Sequence, residues 1–222
     1  MVRGSSSLLL GTNHTERRYM DIRHTWDDLP PDFPQGKSVA IDTETMGLVT
    51  GRDRLCLVQL SWGDGVCYLV QIRQDKCGEA HRLIALLKDT SVEKIFHFAR
   101  FDVAALYHHF RVICAPIYCT KIASRLVRTY TDRHGLKDLC RELLGTEISK
   151  TEQTSDWGRE TLTEEQKKYA ASDVLHLHGL RKKLDGMLMR ERRLDFAKAC
   201  FSFLPHRAVL DCHGFNDDVL QH

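Results

Sequence analysis

The sequence predicts a single α/β domain, and three observations predict it: apolar strand-like runs joined by a short glycine connection, then a strand-helix alternation, then a second half patterned at helical period. Leu29-Pro30-Pro31-Asp32-Phe33-Pro34 is a rigid extended lead-in, because proline fixes φ. Ser38-Val39-Ala40-Ile41 follows as a buried strand. Leu55 to Trp62 and Val66 to Gln71 flank Gly63-Asp64-Gly65, a connection that suits a hairpin, so the front of the domain reads as an antiparallel meander. His81 to Lys88 is then helical, Lys94 to Phe98 is a short apolar strand, and Val103 to Phe110 is helical again. From Thr120 on, helices are expected over Ile122 to Val127, over Leu136 to Leu144, and from Thr163 to about Arg190. Thr163-Glu164-Glu165-Gln166 opens the last as a capping box.

A chain of 222 residues, 42% hydrophobic and 28% charged, has room for one sizeable core, and its net charge of +2 permits a nucleic-acid partner without arguing for one. The cysteines include no Cys-x-x-Cys, and the histidines do not stand beside them at zinc-ligand spacing, so reduced thiols are expected. Leu8-Leu9-Leu10 is too short for a signal core or a membrane span, so a cytoplasmic protein with no membrane contact and no obligatory protein partner is expected. Residues 1–19 are polar and Ser-rich and read as a flexible tail or an upstream or tag extension, leaving 20–222 as the folded domain.

The chemistry is carried by acids. In Asp42-Thr43-Glu44, at the end of the first apolar strand, residues two apart project on one face, so both carboxylates can point at one spot; an ordinary solvated strand end is the alternative. Asp102 stands where a strand meets the next helix, where it can cap Val103 onward, face a site, or do both. Tyr169 and Asp173, four apart, share a helical face. Apolar neighbours make a core-packed tyrosine a fair alternative, whereas an Asp in such a stretch needs a partner or a metal.

Ile41-Asp42-Thr43-Glu44-Thr45-Met46-Gly47-Leu48, Phe96-His97-Phe98-Ala99-Arg100-Phe101-Asp102 and Tyr169-Ala170-Ala171-Ser172-Asp173-Val174 resemble, in order and spacing, the three motifs of the DEDD exonuclease superfamily, in the subclass with Tyr before the last Asp. Arg54 to Leu60, His134-Gly135-Leu136-Lys137-Asp138-Leu139, and Ser155-Asp156-Trp157 leading to Leu162 and Gln166 resemble ribonuclease D in particular. The chain departs from many relatives in carrying Phe98 where they carry Asn. It resembles a compact, single-domain version that lacks the C-terminal helical domains which grip RNA.

The resemblance implies a ribonuclease H-like fold: a mixed five-stranded sheet, three antiparallel strands first, surrounded by helices. It implies a 3′-to-5′ exoribonuclease acting on single-stranded RNA 3′ ends and releasing 5′-mononucleotides, in 3′ processing of tRNA or other structured RNA. A DNA exonuclease and a silent nucleic-acid-binding module are the alternatives. Two divalent ions, Mg²⁺ or Mn²⁺, about 3.5 to 4 Å apart, are the expected cofactors. Asp42 would bridge them, with Glu44 and Asp173 on the ion that carries the attacking water and Asp102 on the other. Tyr169, a poor base with an ordinary pKa near 10, would orient the nucleophile. Met46 and Leu48 are expected against the terminal base or sugar, the backbone of Thr43 to Thr45 at the 3′-hydroxyl, and His97 and Phe101 along the neighbouring wall. Lys121, Arg125, Arg128, Arg133, His134 and Lys137 are candidates to track phosphates, or else form a solvated face.

Overall fold

A computed structural model describes residues 20–74, 79–149, 152, 154–215 and 219. The expected tail at 1–19 lies outside the described residues. The strands are β1 (Asp21–Trp26), β2 (Ser38–Thr45), β3 (Leu55–Ser61), β4 (Val66–Gln71), β5 (Glu93–Phe96) and β6 (Ile117–Cys119). They form one six-stranded sheet in the order β1-β4-β3-β2-β5-β6. The expected five-stranded sheet corresponds to β2 through β6, with β2-β3-β4 as the antiparallel meander; β1 adds a sixth strand, parallel to β4.

Two of the strands escape a reading of apolar pattern for physical reasons. β1, Asp-Ile-Arg-His-Thr-Trp, has no buried residue, and β6 spans three residues. Each exists because a neighbour supplies its hydrogen bonds. Only β3 runs against the others. The start of β3 and the C-terminal ends of the other strands therefore share one edge of the sheet.

The helices are α1 (His81–Lys88), α2 (Ala99–Phe110), α3 (Thr120–Val127), α4 (Leu136–Leu139, continuing through a wider turn over Cys140–Leu144), α5 (Glu164–Leu175), α6 (Leu177–Arg190) and α7 (Leu194–Cys212). Every residue of β3 is buried, so both faces of the sheet are covered there. Ile41, Leu57, Leu60 and Leu69 are fully buried, and each stabilises the fold by about 1.5–3 kcal/mol. That sum lets β2 end in acids that repel one another.

Two expected helices differ. The helix expected from Val103 starts at Ala99, which places Asp102 inside its first turn. The helix expected over Thr163 to Arg190 breaks at His176. The break lets α5 lie across the sheet while α6 runs along α3. The capping box forms: the Thr163 hydroxyl accepts from the Gln166 backbone at 3.1 Å, and the Gln166 side chain accepts from the Thr163 backbone at 2.9 Å. Among the described residues no helix is long and apolar enough to cross a membrane.

Candidate active site

The end of β2 presents Asp42 and Glu44 toward α5, which packs across β2, β3 and β4 and carries Asp173. Carboxylate oxygens of Asp42, Glu44 and Asp173 lie within 4.8 Å of one another, a group able to hold a cation. Asp102 reaches the group from α2. One of its oxygens accepts from the Thr43 amide at 3.1 Å and from the Thr43 hydroxyl at 2.7 Å. Thr43, between the two strand acids, thus locks the second motif onto the first.

Burial pushes all four acids up. Asp42 is raised well above the usual carboxylate range by burial and then by Asp102, Asp173 and Glu44. Glu44 is raised well above it by burial, Asp173 and Asp102, against a hydrogen bond from Gln59. Asp102 and Asp173 are each pushed to about 7 by burial, restrained by the bonds from Thr43 and from Tyr169 respectively. Among the described residues no lysine or arginine offsets the charge of the four. Carboxylates without a counter-charge, offering only hard oxygens, fit Mg²⁺ or Mn²⁺.

Tyr169 hydrogen-bonds Asp173, and its ring lies 6.0 Å from that of buried Trp157. Burial and then Asp173, Glu44 and Asp42 push its phenol up, so it stays a neutral donor at physiological pH. Gln59 is a residue that sequence reasoning passed over. From the middle of β3 its amide donates to Asp42 at 3.2 Å and toward Glu44 at 3.5 Å. A glutamine facing two acids across an antiparallel pair was the available signal, since Gln59 is in register with Asp42.

The other candidates divide. The register of β2 shifts between Glu44 and Thr45, a bulge that interrupts the ladder beside the acids. Thr45 bonds the Gly47 carbonyl through its hydroxyl. Met46 is half exposed, and Gly158 faces its sulfur so closely that a Cβ there would collide with it. Leu48 is 84% exposed, so it is free to meet a ligand. His97 bonds the Thr120 hydroxyl at 2.9 Å, and Phe101 lines a small crevice with Thr45 and Gly47. Phe98 is half exposed with the Lys121 ammonium 4.0 Å from its ring centroid. Arg128 does not join a phosphate track. Its side chain is fully buried, bonded to Glu142, Ser124 and the Arg133 carbonyl.

A family model described as "3′-5′ exonuclease" matches residues 24–189. Ribonuclease D of Granulibacter bethesdensis is 35% identical over 156 residues, covering 70% of this chain and 39% of that protein. The chain thus spans less than half the length of the curated relatives it matches. Among solved structures, Brucella melitensis NrnC bound to pGG is 52% identical with a TM-score of 0.88, covering 92% of this chain and 100% of that one. The same protein with bound Mg²⁺ gives 0.87. Escherichia coli RNase D, an exoribonuclease involved in structured RNA processing, is 26% identical with a TM-score of 0.68, covering 78% of this chain and 45% of its own. The chain belongs to the 3′-5′ exonuclease family that includes ribonuclease D.

Proposed function

We propose that this chain is a divalent-metal-dependent 3′-5′ exoribonuclease that removes nucleotides one at a time and releases 5′-mononucleotides. The observation that carries the reading is the meeting of Asp42, Glu44 and Asp173 within 4.8 Å, in a group whose charge no basic residue offsets among the described residues. The similar NrnC with bound Mg²⁺ supports a divalent ion here, and the all-oxygen donor set suits two. Bound cations would supply charge neutralisation at the phosphodiester and lower the pKa of water.

The chain's own residues do the rest. Asp42, Glu44, Asp102 and Asp173 hold the ions, and Thr43 fixes Asp102. Tyr169, held neutral, orients the attacking water by hydrogen bonding, and the proton of that water passes to bulk solvent. The bulged backbone at Thr43 to Thr45 meets the terminal sugar, Met46 and Leu48 meet the base, and His97 and Phe101 line the adjoining wall. The domain that does this is the folded part of residues 20–222.

One observation refines the substrate. A relative half identical along its whole length binds pGG, which favours strands as short as pGG over tRNA 3′ ends. The decisive assay incubates 5′-labelled single-stranded RNA, matched DNA and pGG with the protein in Mg²⁺, Mn²⁺ or EDTA, beside Asp42→Asn. RNA should shorten from the 3′ end only with metal and only with the wild type. Intact RNA and intact pGG in both metals would overturn the enzyme, equal or faster cutting of DNA would overturn the RNA preference, and slow pGG cleavage beside a fast long strand would overturn the short-substrate reading.

A further inference from the structure

Each carboxylate of the candidate site is held by a neutral donor. Thr43 bonds Asp102, Tyr169 bonds Asp173, and the Gln59 amide serves the remaining two, reaching Asp42 at 3.2 Å and Glu44 at 3.5 Å. The strand register explains how one side chain meets both. Gln59 stands opposite Asp42 on the antiparallel pair of β2 and β3, and Leu57, two residues before it, stands opposite Glu44. Glu44 is therefore the diagonal neighbour of Gln59 on the same face of the sheet.

Packing alone calls for an apolar side chain at this position. β3 reads Leu-Cys-Leu-Val-Gln-Leu-Ser with every residue buried, Gln59 is fully buried, and Leu69 stands opposite it from β4. The carbonyl end of the Gln59 side chain is buried too, and among the described residues no donor reaches it. A buried polar group left without a partner costs about 1–3 kcal/mol, so a glutamine that served only the interior would be a poorer choice than leucine or methionine. Its useful end is the one turned to the acids. A lysine or arginine in its place could tie the same two carboxylates, but its charge would compete with a cation for them. An amide orients carboxylates without neutralising them.

We propose that Gln59 is a positioning residue for the metal: its amide holds Asp42 and Glu44 in one orientation and so sets the affinity of the carboxylate group for Mg²⁺, while Gln59 itself touches neither ion nor substrate. The inference rests on the metal-dependent reading above and deepens it. Without the amide, Asp42 and Glu44 are free to turn apart under their mutual repulsion, and an arriving ion must gather them again.

The test is titration of Mg²⁺ alone, without substrate, by calorimetry into wild type, Gln59→Met and Gln59→Leu, with melting curves in EDTA beside it. Both replacements are close to glutamine in size. Each removes a donor from the acids and an unpartnered carbonyl from the interior together, so the metal-free melting temperature should stay within a few degrees of the wild type. Mg²⁺ affinity should fall about tenfold or more. In cleavage of labelled RNA, the Mg²⁺ concentration giving half the maximal rate should rise by the same factor, while the rate at saturating Mg²⁺ stays within about threefold of the wild type. Variants that bind Mg²⁺ as tightly as the wild type, that melt lower in EDTA by about 10 °C or more, or whose rate excess Mg²⁺ does not restore would overturn the proposal. Each of those outcomes leaves the metal-dependent reading standing, whereas a wild type that binds no Mg²⁺ would overturn that reading and this inference with it.

Discussion

Two acid-bearing regions of this molecule use buried carboxylates in opposite ways. Where α7 meets α2, Asp211 is 6% exposed and receives Arg100 through two bonds, at 2.7 and 2.8 Å, with Arg207 3.1 Å away. At the end of β2, the four acids have one another, Thr43, Gln59 and Tyr169, but no cation among the described residues. The first region is complete as folded. The second is complete only when something positive arrives, and that difference separates a carboxylate that joins helices from one that is kept for a ligand.

Neutralising one acid in each region should therefore have opposite effects, and this is the largest expected contrast. Asp42→Asn should cut exonuclease rate about a thousandfold or more, because the carboxylate group proposed to hold the divalent metal loses a charged member. Yet in EDTA at pH 8 the same variant should melt higher than the wild type, because repulsion is relieved. Asp211→Asn should lose about 3 kcal/mol of stability, since two guanidiniums lose their carboxylate. Denaturant curves decide it, and a metal-free Asp42→Asn less stable than wild type would show that the acids are not in conflict.

The second contrast is in pH. Asp102 and Asp173 titrate near 7 in the fold, against about 3.9 for an unperturbed Asp, so the folded state binds more protons than the unfolded chain in between. Metal-free stability from these groups is present below about 4 and is lost as pH rises toward 7. Melting temperature in EDTA should fall by several degrees from pH 5 to pH 8, and saturating Mg²⁺ should restore most of it at pH 8 and little at pH 5. An equal Mg²⁺ effect at both pH values would contradict acids raised by burial and by one another.

The smallest expected effect concerns Tyr169. Tyr169→Phe should slow cleavage about 10- to 100-fold while Mg²⁺ affinity, read by calorimetry, changes little, because the proposed role of the hydroxyl is to position water and not to hold the ion. Loss of Mg²⁺ affinity equal to that of Asp173→Asn would make Tyr169 a support of the metal cage.

Local chemistry was legible from the sequence because local geometry is periodic. Residues two apart on a strand put Asp42 and Glu44 on one face, residues four apart on a helix put Tyr169 near Asp173, and Thr163 and Gln166 cap their helix within one turn. The meander of β2, β3 and β4 was equally legible, since apolar runs and a glycine turn are local signals. Tertiary structure alone decided that the carboxylate pair on β2 and Asp173 on α5 meet, and that Asp102, 59 positions beyond Thr43, is held by it. It also decided that Gln59 faces two acids, that Arg128 turns inward, and that a polar hexapeptide becomes β1. Each of these depends on a partner supplied from elsewhere in the chain, through a hydrogen bond or a packed surface that no window of sequence contains.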